Sequence, residues 1–208
     1  MKSGKKQMAL TFDDGPSPGT TDRVLDILER EGVRASFFLI GEKILPESEY
    51  LIKRALSLGC SIENHSLTHA AMPELSREEI AEEIRITSEK IRAVIGEDPQ
   101  FFRPPYIAVE EKMYEVIDLP FICGRGCEDW VPEVSAEERA RRVLEAAGDG
   151  VMILVHDSAG NDNTVIALET IIPELKKQGY ELVNIRELFA NAGVTPQHGR
   201  LYSCVYDE

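Results

Sequence analysis

Residues 8–16 read Met-Ala-Leu-Thr-Phe-Asp-Asp-Gly-Pro. Met8–Phe12 is an apolar run of strand length. It stops at two adjacent carboxylates, Asp13 and Asp14, followed by Gly15-Pro16. Gly and Pro punctuate a strand, because one tolerates unusual φ values and the other fixes φ and lacks a donor. Asp, Gly and Pro are also ordinary turn formers, so alone the stretch reads first as a surface turn. Its meaning depends on the rest of the chain.

Six further segments have strand character: Ser36–Ile40, Cys60–Glu63, Phe101–Arg103, Pro120–Gly124, Val151–His156 and Glu181–Asn184. Helical patterns separate them. Val24, Leu25 and Leu28 form a stripe that Gly32 is placed to stop. Ser76-x-x-Glu79 has capping-box spacing and opens a helix bearing Ile80, Ile84, Ile91 and Ile95 on one face. Ser135-x-x-Glu138 opens another toward Leu144. Val165, Leu168, Ile172 and Leu175 mark a fourth helix, which Pro173 is expected to shorten or kink. Alternating strands and helices predict an α/β fold with a parallel sheet, either open and doubly wound or closed as a barrel. Both architectures collect functional residues at the C-terminal ends of their strands.

The polar residues fall at those ends. After the third strand comes His65-Ser-Leu-Thr-His69; on a helix the two imidazoles would share one face and could bind one metal. After the fourth comes Arg103-Pro-Pro-Tyr106, a surface turn or a fixed cation for a buried carboxylate. Asp129-Trp130 follows the fifth, where a lone Trp is expected in the core. The sixth strand runs into His156, a satisfied core imidazole or a working one. Each signal is modest singly; their joint placement at successive strand ends is the informative observation.

The 208 residues fit one domain, 1–208, with residues 194–208 as a C-terminal tail beyond the last motif. In that tail His198 reads as a surface turn residue, while Tyr202 and Tyr206 are able to pack back onto the domain. The net charge of -14 disfavours nucleic-acid binding, which needs a basic face. No apolar run reaches membrane-spanning length, so no membrane insertion is expected. No signal peptide is visible, so the chain reads as cytoplasmic, or as a cell-envelope or extracellular protein if a signal has been removed. Four scattered cysteines, Cys60, Cys123, Cys127 and Cys204, read as free thiols, with Cys123 and Cys127 open to pairing or metal binding.

Thr11-Phe-Asp-Asp-Gly-Pro16, His65-Ser-Leu-Thr-His69, Arg103-Pro-Pro-Tyr106, Asp129-Trp130 and Leu154-Val-His156 occur in this order. On these motifs the chain resembles the polysaccharide deacetylases, the NodB-homology domain of carbohydrate esterase family 4, from roughly Lys6 to Phe189. The resemblance implies a distorted (β/α) barrel of about seven parallel strands. It implies metal-dependent hydrolysis of N-acetyl groups on N-acetylglucosamine-type residues of a polysaccharide or oligosaccharide, peptidoglycan or chitin-like, releasing acetate.

By the same resemblance Asp14, His65 and His69 hold a divalent metal, Zn first, with Co, Ni or Mn compatible. Asp13 is the general base and Arg103 its partner. His156 is the general acid and Asp129 its partner. The Tyr106 N–H is an oxyanion donor, and Leu154 and Trp130 wall the acetyl pocket. The expected partner is an acetylated amino-sugar polymer or oligomer. An amidase acting on a non-sugar acylated amine, an O-acetyl esterase and a catalytically silent sugar-binding domain are the rivals. Two positions depart from the family pattern: Ile107 stands where Gly is frequent, and Gly126 where Asp is frequent.

Overall fold

The computed structural model describes residues 4–207. The reading of the N-terminus falls partly on residues 1–3, which lie outside the described residues, as does Glu208. The elements run β1 (Lys6–Gly15), α1 (Thr21–Glu31), β2 (Ser36–Leu39), α2 (Glu49–Ser57), β3 (Ser61–Asn64), α3 (Arg77–Ile95), α4 (Glu111–Val116), β4 (Phe121–Ile122), β5 (Arg125–Gly126), α5 (Ala136–Ala146), β6 (Met152–His156), α6 (Asp162–Lys177), β7 (Tyr180–Leu182), α7 (Ile185–Ala192) and β8 (Leu201–Tyr202).

β1 is the organising strand. It pairs in parallel with β2 on one side and β6 on the other, in a sheet ordered β3-β2-β1-β6-β5. Its first residues, Lys6–Met8, pair with β7. From β3 the circuit continues through Phe102, which bridges Asn64 and Phe121, and on through β4 to β8. The chain after β8 then reaches β6: Met152 N–H donates to the Ser203 carbonyl at 3.1 Å, and Val151 bridges Cys204 antiparallel. The result is a closed but distorted (β/α) barrel whose named strand pairs are all parallel. Residues beyond 194 supply one of its staves, and His198 stands exposed in the turn before it.

Side-chain alternation decides what faces where. Leu10 and Phe12 of β1, Phe37 and Leu39 of β2 and Ile153 and Val155 of β6 join the core beneath the helices, with Leu25, Leu28, Leu168 and Ile172. Ala9, Phe38 and Met152 face the other way, into a cluster with Phe101, Ile122, Phe189 and Tyr202. Each fully buried Phe stabilises the fold by roughly 1.5–3 kcal/mol. On that second face Asp13 and His156, partners in register across β1 and β6, come to the end of the barrel together.

Several expectations are refined. The segment Phe101–Arg103 is only the Phe102 bridge, because Pro104 and Pro105 cannot donate to a ladder. β5 and β8, two residues each, carry no alternation and were not anticipated. Gly32, at φ 64°, ends α1 as expected. Ser76 and Glu79 form the reciprocal capping box. Ser135 caps α5, but Glu138 completes no box; its carboxylate is taken by Arg141 and Arg142. α6 runs on through Pro173 to Lys177. Pro173 and Glu169 are both exposed, so the hydrogen bond that Pro173 cannot make is lost on the solvent side of the helix.

Candidate metal centre and catalytic cleft

Consecutive strand residues point to opposite faces, so two adjacent carboxylates reach one site only if the strand is broken between them. It is. The β1–β2 register slips between Asp13 and Gly15, and Asp14 adopts φ 70°. Asp tolerates this left-handed region better than most residues. Lys43 Nζ donates to the Asp14 carbonyl at 2.7 Å and secures the turn.

The His65–His69 stretch is a loop, so the two imidazoles meet by loop geometry and not by sharing a helix face. Ser66 and His69 both have positive φ, 66° and 61°. Glu83 of α3, buried, holds the loop: its carboxylate accepts from Leu67 N–H (2.7 Å), Thr68 N–H (2.9 Å) and the Thr68 hydroxyl (2.8 Å). His69 N–H donates to Ser66 Oγ at 3.1 Å. Thus Nε2 of His65 and of His69 lie 3.5 and 3.4 Å from Asp14 Oδ1. One ligand atom from each of the three residues falls within 4.8 Å of the others. His65 Nδ1 lies 2.7 Å from the Arg103 carbonyl. A carbonyl only accepts, so Nδ1 carries the proton and Nε2 presents a lone pair toward Asp14.

Asp14 Oδ1 is buried without a hydrogen-bond partner among the described residues. A carboxylate oxygen facing two imidazole nitrogens is an arrangement that a divalent cation between them would satisfy, and the donor set suits one. Burial disfavours Asp14 ionisation; positive charge at the site, carried by His65, His156 and His69 when they are protonated, offsets it and holds the carboxyl at about 2. Burial, then the neighbouring His65, lower the His69 pKa, which favours the neutral ligand form.

Two largely buried charged pairs flank this cluster. Asp13 Oδ1 meets Arg103 Nη1 at 2.5 Å, with both side chains buried. The guanidinium lies over the Phe38 ring, 4.1 Å from its centroid, and Nε donates to the Ile122 carbonyl. On the other side His156 Nδ1 lies 2.8 Å from Asp129 Oδ1. Asp129 Oδ2 accepts from His156 N–H (2.7 Å), the Thr164 hydroxyl (2.9 Å) and Asn161 Nδ2 (3.2 Å). Burial works against the imidazolium, but the Asp129 bond and charge, with Asp13 and Asp14 behind, outweigh it and lift His156 to about 9.

A cleft of about 570 Å³ brings together Asp13, Asp14, His65, His69, Tyr106, Trp130, Leu154 and His156. Arg103 and Asp129 stand behind their partners. Trp130 is not a core residue: it is 58% exposed, its ring edge-on to His156. The αL backbone at Tyr106 (φ 59°) leaves its N–H without an acceptor among the described residues, and its exposed ring packs edge-on against His69. Ile107 follows at φ 52°, a conformation Gly adopts freely, which explains why Gly suits this position. At Gly126 a Cβ would lie 3.3 Å from the Trp130 ring, so a side chain there would press on the ring. All four cysteines are free. Cys123 borders the cleft, while burial pushes the Cys127 thiol up to about 12.

The motif residues did not point to Glu83, Lys43, Asn161 or Thr164. Glu83 is one of five glutamates in α3, and only its burial beside Ile80, Thr87 and Ile91 singles it out.

One carboxylate and two imidazoles at the mouth of an α/β barrel, flanked by a carboxylate–guanidinium pair and an imidazole–carboxylate pair, are a donor set and a pair of titratable groups suited to metal-assisted hydrolysis. The polysaccharide deacetylase profile matches residues 1–119. The chain is 46% identical over 192 residues to a bifunctional xylanase/deacetylase of Pseudobutyrivibrio xylanivorans, covering 92% of this chain and 32% of that protein. It is 38% identical over 198 residues to the peptidoglycan-N-acetylglucosamine deacetylase PgdA of Listeria monocytogenes, covering 95% and 41%. It therefore spans about a third of the length of the first relative and about two-fifths of the second.

Among solved structures, the Xyl-CE4 domain of a multidomain xylanase from the hindgut metagenome of Trinervitermes trinervoides superposes with a TM-score of 0.97 at 45% identity, over 99% of this chain and 100% of that one. A family 4 acetyl xylan esterase from Clostridium thermocellum, in complex with a cobalt ion, gives 0.94 at 38%, over 97% and 100%. The chain belongs to the polysaccharide deacetylase family. Among the described residues no helix is long and apolar enough to cross a membrane.

Proposed function

We propose that the protein hydrolyses acetyl groups from an acetylated carbohydrate, with Asp14, His65 and His69 holding a divalent cation. The observation that carries this reading is the unpartnered, buried Asp14 Oδ1 facing two imidazole nitrogens, between Asp13–Arg103 and His156–Asp129. The substrate that the peptidoglycan deacetylase relatives favour is an N-acetylglucosamine-type residue in a peptidoglycan- or chitin-like polymer or oligomer. Such a polymer is met outside the cytoplasmic membrane, which argues for a working site in the cell envelope or beyond. Likeness to the xylan-associated domains favours a second reading, an O-acetyl ester on xylan. The ligand types suit Zn first, then Co, Ni or Mn.

A bound divalent cation would supply Lewis acidity to the acetyl carbonyl and to the attacking water. Asp13 takes the proton of that water, and Arg103, paired with Asp13, keeps it aimed. The water oxygen bonds to the acetyl carbon while the Tyr106 N–H donates to the developing oxyanion. Leu154 and Trp130 border the space for the methyl group. His156 then delivers its proton to the leaving nitrogen as the C–N bond breaks, giving acetate and a free amine. No covalent enzyme intermediate is required. Each acid–base partner is worth about 10²–10⁴-fold in rate.

The test is acetate release from N-acetylglucosamine oligomers of increasing length and from acetylated xylan. Enzyme stripped of metal and resupplied with Zn, Co, Ni or Mn is compared with Asp13→Asn. Metal-dependent release that Asp13→Asn lacks is the expected result, and the better polymer names the substrate. Stoichiometric metal binding without release from either polymer would point to a non-sugar acylated amine.

A further inference from the structure

Arg139 lies one turn into α5 and is 2% exposed, yet all its partners among the described residues are neutral. Nε donates to the Val134 carbonyl (2.9 Å) and Nη2 to the Val131 carbonyl (3.1 Å). Nη1 donates to Asn161 Oδ1 and to the Thr164 hydroxyl (2.9 Å). A buried cation with no ion pair is costly, so its place needs a compensating field. Asp129 supplies one at a single remove. The Thr164 hydroxyl accepts from Arg139 and donates to Asp129 Oδ2; the Asn161 amide accepts on its oxygen and donates through Nδ2 to the same Oδ2. Asn161 Nδ2 also reaches the His156 carbonyl at 3.0 Å.

A guanidinium has donors only, so it leaves each bridging group one orientation: oxygen toward Arg139, hydrogen toward Asp129. Donors polarised in this way bind a carboxylate more strongly than free ones. The Val131 and Val134 carbonyls fasten the turn that leads from Trp130 into α5.

We propose that Arg139 is a positioning residue for the acid half of the site: through Thr164 and Asn161 it aims Asp129, and through Asp129 it aims the His156 proton. This rests on the acetyl-hydrolase reading above. The step it serves is the transfer of the His156 proton to the departing nitrogen, or to oxygen in an ester, as the bond to the acetyl carbon breaks. Departure of an amine or alkoxide needs that proton. Departure of 4-nitrophenolate does not, because that anion is stable in neutral water.

The experiment compares wild type, Arg139→Met, Arg139→Lys and Thr164→Val, all Zn-loaded, on an N-acetylglucosamine oligomer and on 4-nitrophenyl acetate. Arg139→Met is expected to lower kcat on the oligomer about 30-fold with KM within about twofold, and to change 4-nitrophenyl acetate turnover less than about threefold. Arg139→Lys retains charge and part of the donor set and falls between. Thr164→Val, which keeps Arg139 and serves if Arg139→Met does not fold, loses about fivefold with the same substrate pattern.

A readout independent of turnover is the low-field proton resonance of His156 Nδ1–H in metal-free protein. It is expected to move upfield and exchange faster in Arg139→Met and Thr164→Val. Equal losses on both substrates, or an unchanged resonance, would overturn the proposal and leave Arg139 a structural residue. A wild type that releases acetate from neither substrate, while the resonance responds as expected, would overturn the functional reading and keep the positioning role.

Discussion

The two halves of the cleft solve opposite electrostatic problems with different hardware. On the side proposed to supply the base, a buried carboxylate meets a buried guanidinium directly, Asp13 with Arg103. On the side proposed to supply the acid, the carboxylate meets an imidazole, and its other oxygen is served by neutral donors, with Arg139 behind them. A base must stay ionised, so a touching cation helps it. An acid must stay protonated, and a cation touching Asp129 would cancel the field that keeps the proton on His156. Neutral donors hold Asp129 in place without that cost.

Removing the centre that both halves share has the largest effect. Asp14→Ala should abolish stoichiometric metal binding, measured by elemental analysis after dialysis, and acetate release should fall to background. Metal retained at one equivalent would contradict the ligand assignment. Next comes the direct pair. Arg103→Met leaves Asp13 buried without its counter-charge and should cost about 3–5 kcal/mol in denaturant unfolding, as well as activity. Asp129→Asn removes the charge that offsets both His156 and Arg139, so it should also cost stability below pH 6.5, and it should lower kcat about 10²–10³-fold in steady-state assays.

The pH dependence sharpens it further. His156 is lifted from 6.5 to about 9 in the folded protein. A raised pKa means that the folded state holds the proton more tightly. The stabilisation is complete below 6.5 and is lost as pH rises through about 9. Thermal midpoints of wild type should therefore fall over that window more than those of Asp129→Asn, and the alkaline limb of kcat should move to lower pH in the variant. A limb that stays in place would show that Asp129 does not set it. The smallest expected effect is at Glu83. Glu83→Ala, which frees the His65–His69 loop, should weaken metal affinity about 10-fold by calorimetry on the metal-free protein. Unchanged affinity would mean that the loop is held by its other contacts.

Much of the site was legible because a parallel barrel collects polar residues at strand ends: Asp13, Asp14, Arg103 and His156 directly end apolar runs, and His65 and Asp129 lie in motifs that follow strand-like segments. The loop geometry was not. The i, i+4 spacing of His65 and His69 suits a helix, but positive φ at Ser66 and His69 is imposed by Asn64, Glu83 and the barrel rim rather than by local preference. Trp130 was expected in the core, where most lone tryptophans lie, but it sits at the edge of an open cleft that one chain segment cannot reveal. β5 and β8 are too short for any periodicity, and β8 exists because its backbone completes the barrel beside β4 and β6.

The amino-acid sequence by itself determined the alternation of strands and helices, the α/β class and the set of groups available for chemistry. These follow from hydrophobic period and residue type, which are local properties. The tertiary structure alone decided that Asp13 and Asp14 face one site, which nitrogen of His65 is free, and how Asp129 is held. Those outcomes depend on where backbone carbonyls, Glu83 and Arg139 arrive from distant parts of the chain, because hydrogen-bond direction and burial are set by neighbours in space.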